Sequence, residues 1–202
     1  MRGGAGRIGA ALVALGVVVA LSGCANTDPL AEQFRNGGQQ NYISGDGANT
    51  VIAEVNRDAP VEFAVELADG TPLNAEDLRG SVVVVNFWYS SCPPCRLEAP
   101  ELAALATEYA DANVRFLGVN VYDGAPAAAA FEKTFGIPYP SVLDVETGAM
   151  RLAFAGSVPP NAVPVTLVLD AQGRVAARIS GIVSEPSILR GMIDDRLAEA
   201  TS

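Results

Sequence analysis

The chain has 202 residues, with 13 lysines and arginines against 23 aspartates and glutamates and no histidine, for a net charge of −10. That acidity argues against nucleic acid or anionic lipid as a partner held by charge. Three cysteines and no histidine are also too few for a zinc site of four Cys/His ligands.

The first 23 residues read as an export signal. Met1–Arg7 carries two arginines and no acid, Ile8–Leu21 is a short apolar stretch, and Leu21-Ser22-Gly23-Cys24 follows. A membrane-spanning helix needs about 20 apolar residues, and this stretch is shorter. The Leu-Ser-Gly-Cys ending resembles the lipobox of bacterial lipoproteins. That likeness implies cleavage after residue 23, with Cys24 lipidated, becoming the mature N-terminus and holding the protein on the outer face of the cell membrane. An ordinary secreted protein or an uncleaved anchor is the plainer alternative. Loss of residues 1–23 leaves 179 residues with 11 basic and 23 acidic side chains, a net of −12. That length is enough for one domain with its own core. Residues 24–56, rich in Asn, Gln, Gly, Asp and Ser, are expected to form a flexible tether, or in part to pack on the fold.

Over residues 57–202 the pattern becomes ordered. Val61–Leu67 alternates with period two and meets Asp69-Gly70, a hairpin signal. A helical turn is expected over Asn74–Leu78, and a fully buried strand over Val82–Tyr89. A helix then runs from Cys95 to about Ala112, with Leu102, Leu105, Ala106 and Tyr109 on one face. Val114–Val121 is a second apolar strand, Ala125–Phe135 a helix, Pro140–Leu143 a short extended piece and Glu146–Phe154 another helix. Val165–Leu169, the turn Ala171-Gln172-Gly173 and Val175–Ser180 form a closing hairpin, and Pro186–Ala200 a final helix. This order implies an α/β fold: a central mixed sheet flanked by helices, with an N-terminal hairpin extension and a helical insertion.

The chemistry lies at Cys92-Pro93-Pro94-Cys95, where a buried strand turns into a helix N-terminus. A Cys-x-x-Cys pair can be half a zinc site, a structural disulfide or a redox couple. Zinc lacks ligands here, and so small a loop stabilises a fold little as a static cross-link. A thiolate at a helix N-terminus, by contrast, is favoured by backbone N–H groups and the helix dipole. Cys92 is therefore expected to be the exposed nucleophile and Cys95 the shielded resolving thiol. Pro93 and Pro94 suit the first helical turn but supply no N–H, which leaves the Cys92 thiolate less stabilised and the couple more reducing. No cofactor is called for, since the sulfur pair carries the electrons itself.

The strand ending in Asn86-Phe87-Trp88, the CPPC pair, Arg96 and Pro100 resemble the thioredoxin fold, and more narrowly its exported TlpA/ResA-like thiol–disulfide oxidoreductases. Arg79-Gly80, Gly118-Val119-Asn120-Val121 and Val163-Pro164-Val165-Thr166 agree with that likeness, which covers about Ala59–Ala200. It implies that Val163-Pro164 is a cis-proline loop beside the disulfide, presenting backbone to an extended client. It makes Trp88, Pro93, Pro94, Val163 and Pro164 the client-facing residues. Thioredoxin itself has an aspartate at the place of Asn86, which cannot take up a proton. The resemblance points instead to Asp123 as the proton acceptor, with a plain Asp-Gly turn as the alternative. Trp88 and Tyr89 form an apolar lid beside the disulfide, or Trp88 simply packs in the core.

The leading function is a membrane-tethered reductase of disulfides in exported proteins. The resemblance implies apocytochrome c as a client and a membrane thiol carrier of CcdA type as electron donor. An exported oxidase using the same cysteines is the alternative, and a redox-inert client-binding module is an alternative of a different class.

Overall fold

The computed structural model describes residues 48–159 and 162–201. The expected signal, Cys24 and the part of the expected tether up to residue 47 lie outside the described residues.

A six-stranded mixed sheet forms the centre, in the order β1-β8-β7-β4-β5-β6. The strands are β1 (Ala48–Val51), β4 (Val82–Trp88), β5 (Val114–Asn120), β6 (Ser141–Leu143), β7 (Val165–Leu169) and β8 (Val175–Ser180). β4, β5 and β6 run parallel, while β7, β8 and β1 add antiparallel. Among the described residues, four α-helices accompany them: α1 (Pro93–Glu108), α2 (Ala125–Phe135), α3 (Ala149–Ala153) and α4 (Pro186–Ala200). β2 (Ala64–Glu66) and β3 (Pro72–Asn74) make the expected hairpin extension, which meets β6 through a bridge between Leu67 and Val142. Helices α2 and α3 with β6 are the expected insertion. The whole is the thioredoxin-type arrangement.

The apolar run in β4 follows from burial on both faces. Val83, Val85 and Phe87 face one core, closed by Met150, Phe154 and Val158 from α3 and its C-terminal turn. Val82 and Val84 face the other, closed by Leu102 and Leu105 of α1 and Leu189, Met192 and Ile193 of α4. The predicted stripe on α1 is thus its buried face.

Three boundaries differ from expectation. First, part of the stretch expected as tether belongs to the fold: β1 pairs with β8 from Ala48↔Ser180 to Val51↔Ala177, and a 3-10 turn follows at Glu54–Asn56. Ordered structure therefore begins before residue 57. Second, α1 starts at Pro93, between the cysteines, and ends at Glu108, where its last turn tightens (Ala110 N–H to Thr107 C=O, 3.3 Å). Third, α3 starts at Ala149 instead of Glu146. The buried Asp144 accepts the Met150 and Arg151 N–H groups (2.8 and 3.0 Å) and fixes the helix start there.

Candidate active site

Cys92 is the N-cap residue of α1, in extended conformation, and its sulfur accepts the Cys95 N–H at 3.2 Å. A disulfide joins the pair, with Cα atoms 5.3 Å apart. Pro93 and Pro94 fill the first helical turn, so among the described residues the Cys95 N–H is the one backbone donor to the Cys92 sulfur.

Both sulfurs are deeply placed: Cys92 and Cys95 are each 1 % exposed. The expectation that Cys92 is the exposed member therefore does not hold in the disulfide state. Both pack in one cluster with Trp88, Ala99, Ala128 and Phe131. Trp88 is itself only 3 % exposed and stacks on Phe131 with ring centroids 4.3 Å apart. It is core packing beneath the disulfide, not a client-facing lid. Tyr89 is half-buried and Pro93 exposed, while Pro94 and Val163 are half-buried and Pro164 is buried.

The Val163–Pro164 peptide is cis, as expected, and the Pro164 carbonyl accepts the Gly181 N–H at 2.9 Å. Val163 packs against the disulfide cluster and also lines a cavity of about 140 Å³ with Tyr89, Val121, Tyr122 and Arg151. The structure thus brings Val163, Tyr89 and the cysteines to one end of the sheet.

The acid nearest the resolving cysteine in the helix is one that the sequence reading missed. Glu98 follows Cys95 by one helical turn, so both lie on one face of α1. Its side chain is buried, 1 % exposed. Asn86 Nδ2 donates to Glu98 Oε1, and the Val183 N–H donates to Oε2, both at 2.9 Å. Burial pushes this carboxyl up from 4.5 to about 7, against the lowering effect of those two donors. A small cavity of about 10 Å³, lined by Cys95, Asn86, Trp88, Phe131 and Tyr139, lies beside the resolving sulfur. The visible signal for Glu98 was a lone acid within the apolar stripe that runs through Cys95, Leu102 and Leu105.

Asp123 sits otherwise than a proton acceptor should. Its Oδ2 accepts the Ser90 N–H and Asn120 Nδ2, and its Oδ1 accepts the Ser90 hydroxyl at 2.8 Å. Partial burial raises the carboxyl, but the bonds from Asn120 and Ser90 outweigh it and hold Asp123 below the ordinary aspartate value. Such a group is a weak base.

The redoxin family profile matches residues 54–193. The chain belongs to the redoxin family. Among curated relatives of this redoxin, the thiol-disulfide oxidoreductase ResA of Bacillus subtilis is 31% identical over 131 residues, covering 65% of this chain and 70% of that protein. The thiol:disulfide interchange protein HelX of Rhodobacter capsulatus is 33% identical over 147 residues, or 72% and 78% of the two chains. Of solved structures, a DsbF homologue from Corynebacterium diphtheriae superposes with a TM-score of 0.66 at 31% identity, over 77% of this chain and 98% of that one. A secreted thiol-disulfide isomerase from Corynebacterium glutamicum gives 0.65 at 30% identity, over 82% and 100%. With the Cys92–Cys95 pair in a disulfide, this redoxin is a thiol–disulfide oxidoreductase acting on protein thiols and disulfides.

Proposed function

We propose that this redoxin is a membrane-tethered, extracytoplasmic reductase of disulfides in exported proteins, anchored through lipid on Cys24. Apocytochrome c is the first client to consider, and a membrane thiol carrier of CcdA type the electron donor. The observation that carries the direction is the single backbone N–H that the described residues offer the Cys92 sulfur, because Pro93 and Pro94 contribute none. A couple becomes oxidising when its reduced form is stabilised, chiefly through the nucleophile's thiolate. Here that stabilisation is sparse.

The step runs as follows. The Cys92 thiolate attacks one sulfur of a client disulfide, forming a mixed disulfide and releasing the other client sulfur as a thiolate. Cys95 loses its proton to Glu98 and attacks Cys92 Sγ, closing the protein disulfide and releasing the second client sulfur. Two electrons pass to the client, and a donor dithiol restores Cys92 and Cys95. A Glu98 carboxyl raised to about 7 suits this transfer, since a proton acceptor works best with a pKa near the working pH. Val163, beside the sulfurs, offers its backbone to an extended client segment.

Equilibration with glutathione tests the direction. A potential well below the ~−120 mV of strong oxidants is expected, and a value near that figure makes the protein an oxidase instead. Cys95→Ser, which leaves Cys92 without its resolving partner, should accumulate client mixed disulfides in the envelope. Their absence overturns the client reading.

A further inference from the structure

The loop that delivers Cys92 to the helix is held by two charged side chains. Ser90 gives its N–H and its hydroxyl to Asp123, and its carbonyl accepts Arg96 Nη1 at 3.1 Å. Asp123 is held in turn by Asn120, whose Nδ2 donates to Oδ2 at 2.9 Å and whose Oδ1 accepts the Asp123 N–H at 2.7 Å. Asn120 is fully buried at the end of β5. The carboxylate is thus fixed to a rigid strand on one side and to the active-site loop on the other.

One residue, Ser91, separates Ser90 from Cys92, so their Cα atoms are at most about 7 Å apart. Asp123 is bonded to Ser90, so its charge stands beside the loop that carries Cys92. The charged and titratable groups around Cys92 are few. On its own helix stand the Cys95 N–H and Arg96, whose guanidinium also lies 5.1 Å from the Phe135 ring centroid. Glu98 lies one turn deeper, behind Cys95. Tyr89 and Tyr122 are phenols, and Arg151 lies across the cavity beside Val163 and is tied to Asp144; the α2 residues in the disulfide cluster are apolar, and Glu132 next to Phe131 acts on Tyr139.

We propose that Asp123 is a positioning residue that sets the poise of the couple: it braces the Ser90 loop and its negative charge opposes ionisation of Cys92, biasing the pair toward giving up electrons. This deepens the reductase reading above and rests on Cys92 being the nucleophile. The low-lying carboxyl of Asp123 keeps it charged wherever a thiol titrates. A less stable thiolate means a less stable reduced form, and therefore a lower potential.

Brace and charge can be separated. In Asp123→Asn the amide oxygen can still accept the Ser90 N–H and Asn120, while the amide nitrogen donates to the Ser90 hydroxyl, which reorients. The geometry stays and the charge goes. Ser90→Ala removes one contact and leaves the charge. In the full-length protein, the pH dependence of Cys92 alkylation should show a thiol pKa about half a unit or more lower in Asp123→Asn. At a pH above the Cys92 pKa, the glutathione equilibrium should move about threefold or more toward the reduced form. Both differences should shrink in about 1 M salt, and Ser90→Ala should show neither. Unchanged pKa and potential in Asp123→Asn overturn the proposal. So does a rise in pKa, or the same shift in Ser90→Ala. Slowed resolution with an unchanged Cys92 pKa also overturns it, and returns Asp123 to the role of proton acceptor. The wild-type potential judges the reductase reading, and the difference between wild type and variant judges this one.

Discussion

Glu98 is an acid in a position that helix periodicity reserves for an apolar side chain, and that placement has a thermodynamic signature. Its folded-state carboxyl is raised above the ordinary 4.5 to about 7, chiefly by burial. Protonation therefore favours the folded protein. That contribution is complete below about pH 4.5 and is lost as pH climbs through about 7, on the order of 3 kcal/mol in all. Urea unfolding of the oxidised protein across this window should show stability falling with rising pH, and Glu98→Gln should flatten the fall. In the reduced protein, Glu98→Gln should slow resolution of a mixed disulfide by on the order of tenfold to hundredfold, with the loss greatest near neutrality. An unchanged pH profile in both measurements would remove Glu98 from the mechanism. Cys92, Cys95 and Pro164 were legible in the sequence because their chemistry is written in adjacent residues. Glu98 was not, because its meaning depends on Asn86 and Val183, which are 12 and 85 residues away and meet it only in the fold.

At the scale of elements, strand and helix types were legible wherever an apolar period ran long enough, as in β4, β5, α1 and the β7–β8 hairpin. β1 was not, because four residues of unremarkable composition form a strand only against β8. The start of α3 was hidden for a similar reason: it is set by the buried Asp144 acting as a cap and not by helix propensity. β5 and β6 approach closely at Gly118. A Cβ at Gly118 would collide with the Ser141 side chain and lie 2.9 Å from Trp88 Nε1. Trp88 in turn stacks on Phe131 of α2. Gly118→Ala should therefore force β6 or the indole aside, at a cost of about 1–3 kcal/mol. Because Trp88 is the single tryptophan of the chain, its fluorescence should report the displacement directly. An unchanged emission spectrum with unchanged stability would show that the contact relaxes freely.

For the molecule as a whole, the question is where the folding unit starts. Arg57 answers it, because its guanidinium ties the segment after β1 to the far end of the chain. Its Nη1 lies 2.9 Å from both Asp170 Oδ2 and Glu199 Oε2, and its Nε donates to the Ile52 carbonyl at 3.1 Å. The Arg57 and Asp170 side chains are 1 % and 2 % exposed. Arg174 adds a second bond to Asp170 at 2.7 Å, and Arg196 one to Glu199 at 2.8 Å. Removing one partner of a buried pair leaves its counter-charge stranded and typically costs about 3–5 kcal/mol. Arg57→Ala should therefore destabilise the domain by roughly 3 kcal/mol, since Arg174 still covers Asp170. Truncation tests the boundary itself. A chain beginning at Ala48 keeps both β1 and Arg57, whereas one beginning at Asp58 loses them and should melt roughly 10 °C lower than it. Equal melting of the two truncations would mean that β1 and Arg57 decorate the fold without supporting it, and would return the start of the domain to residue 57.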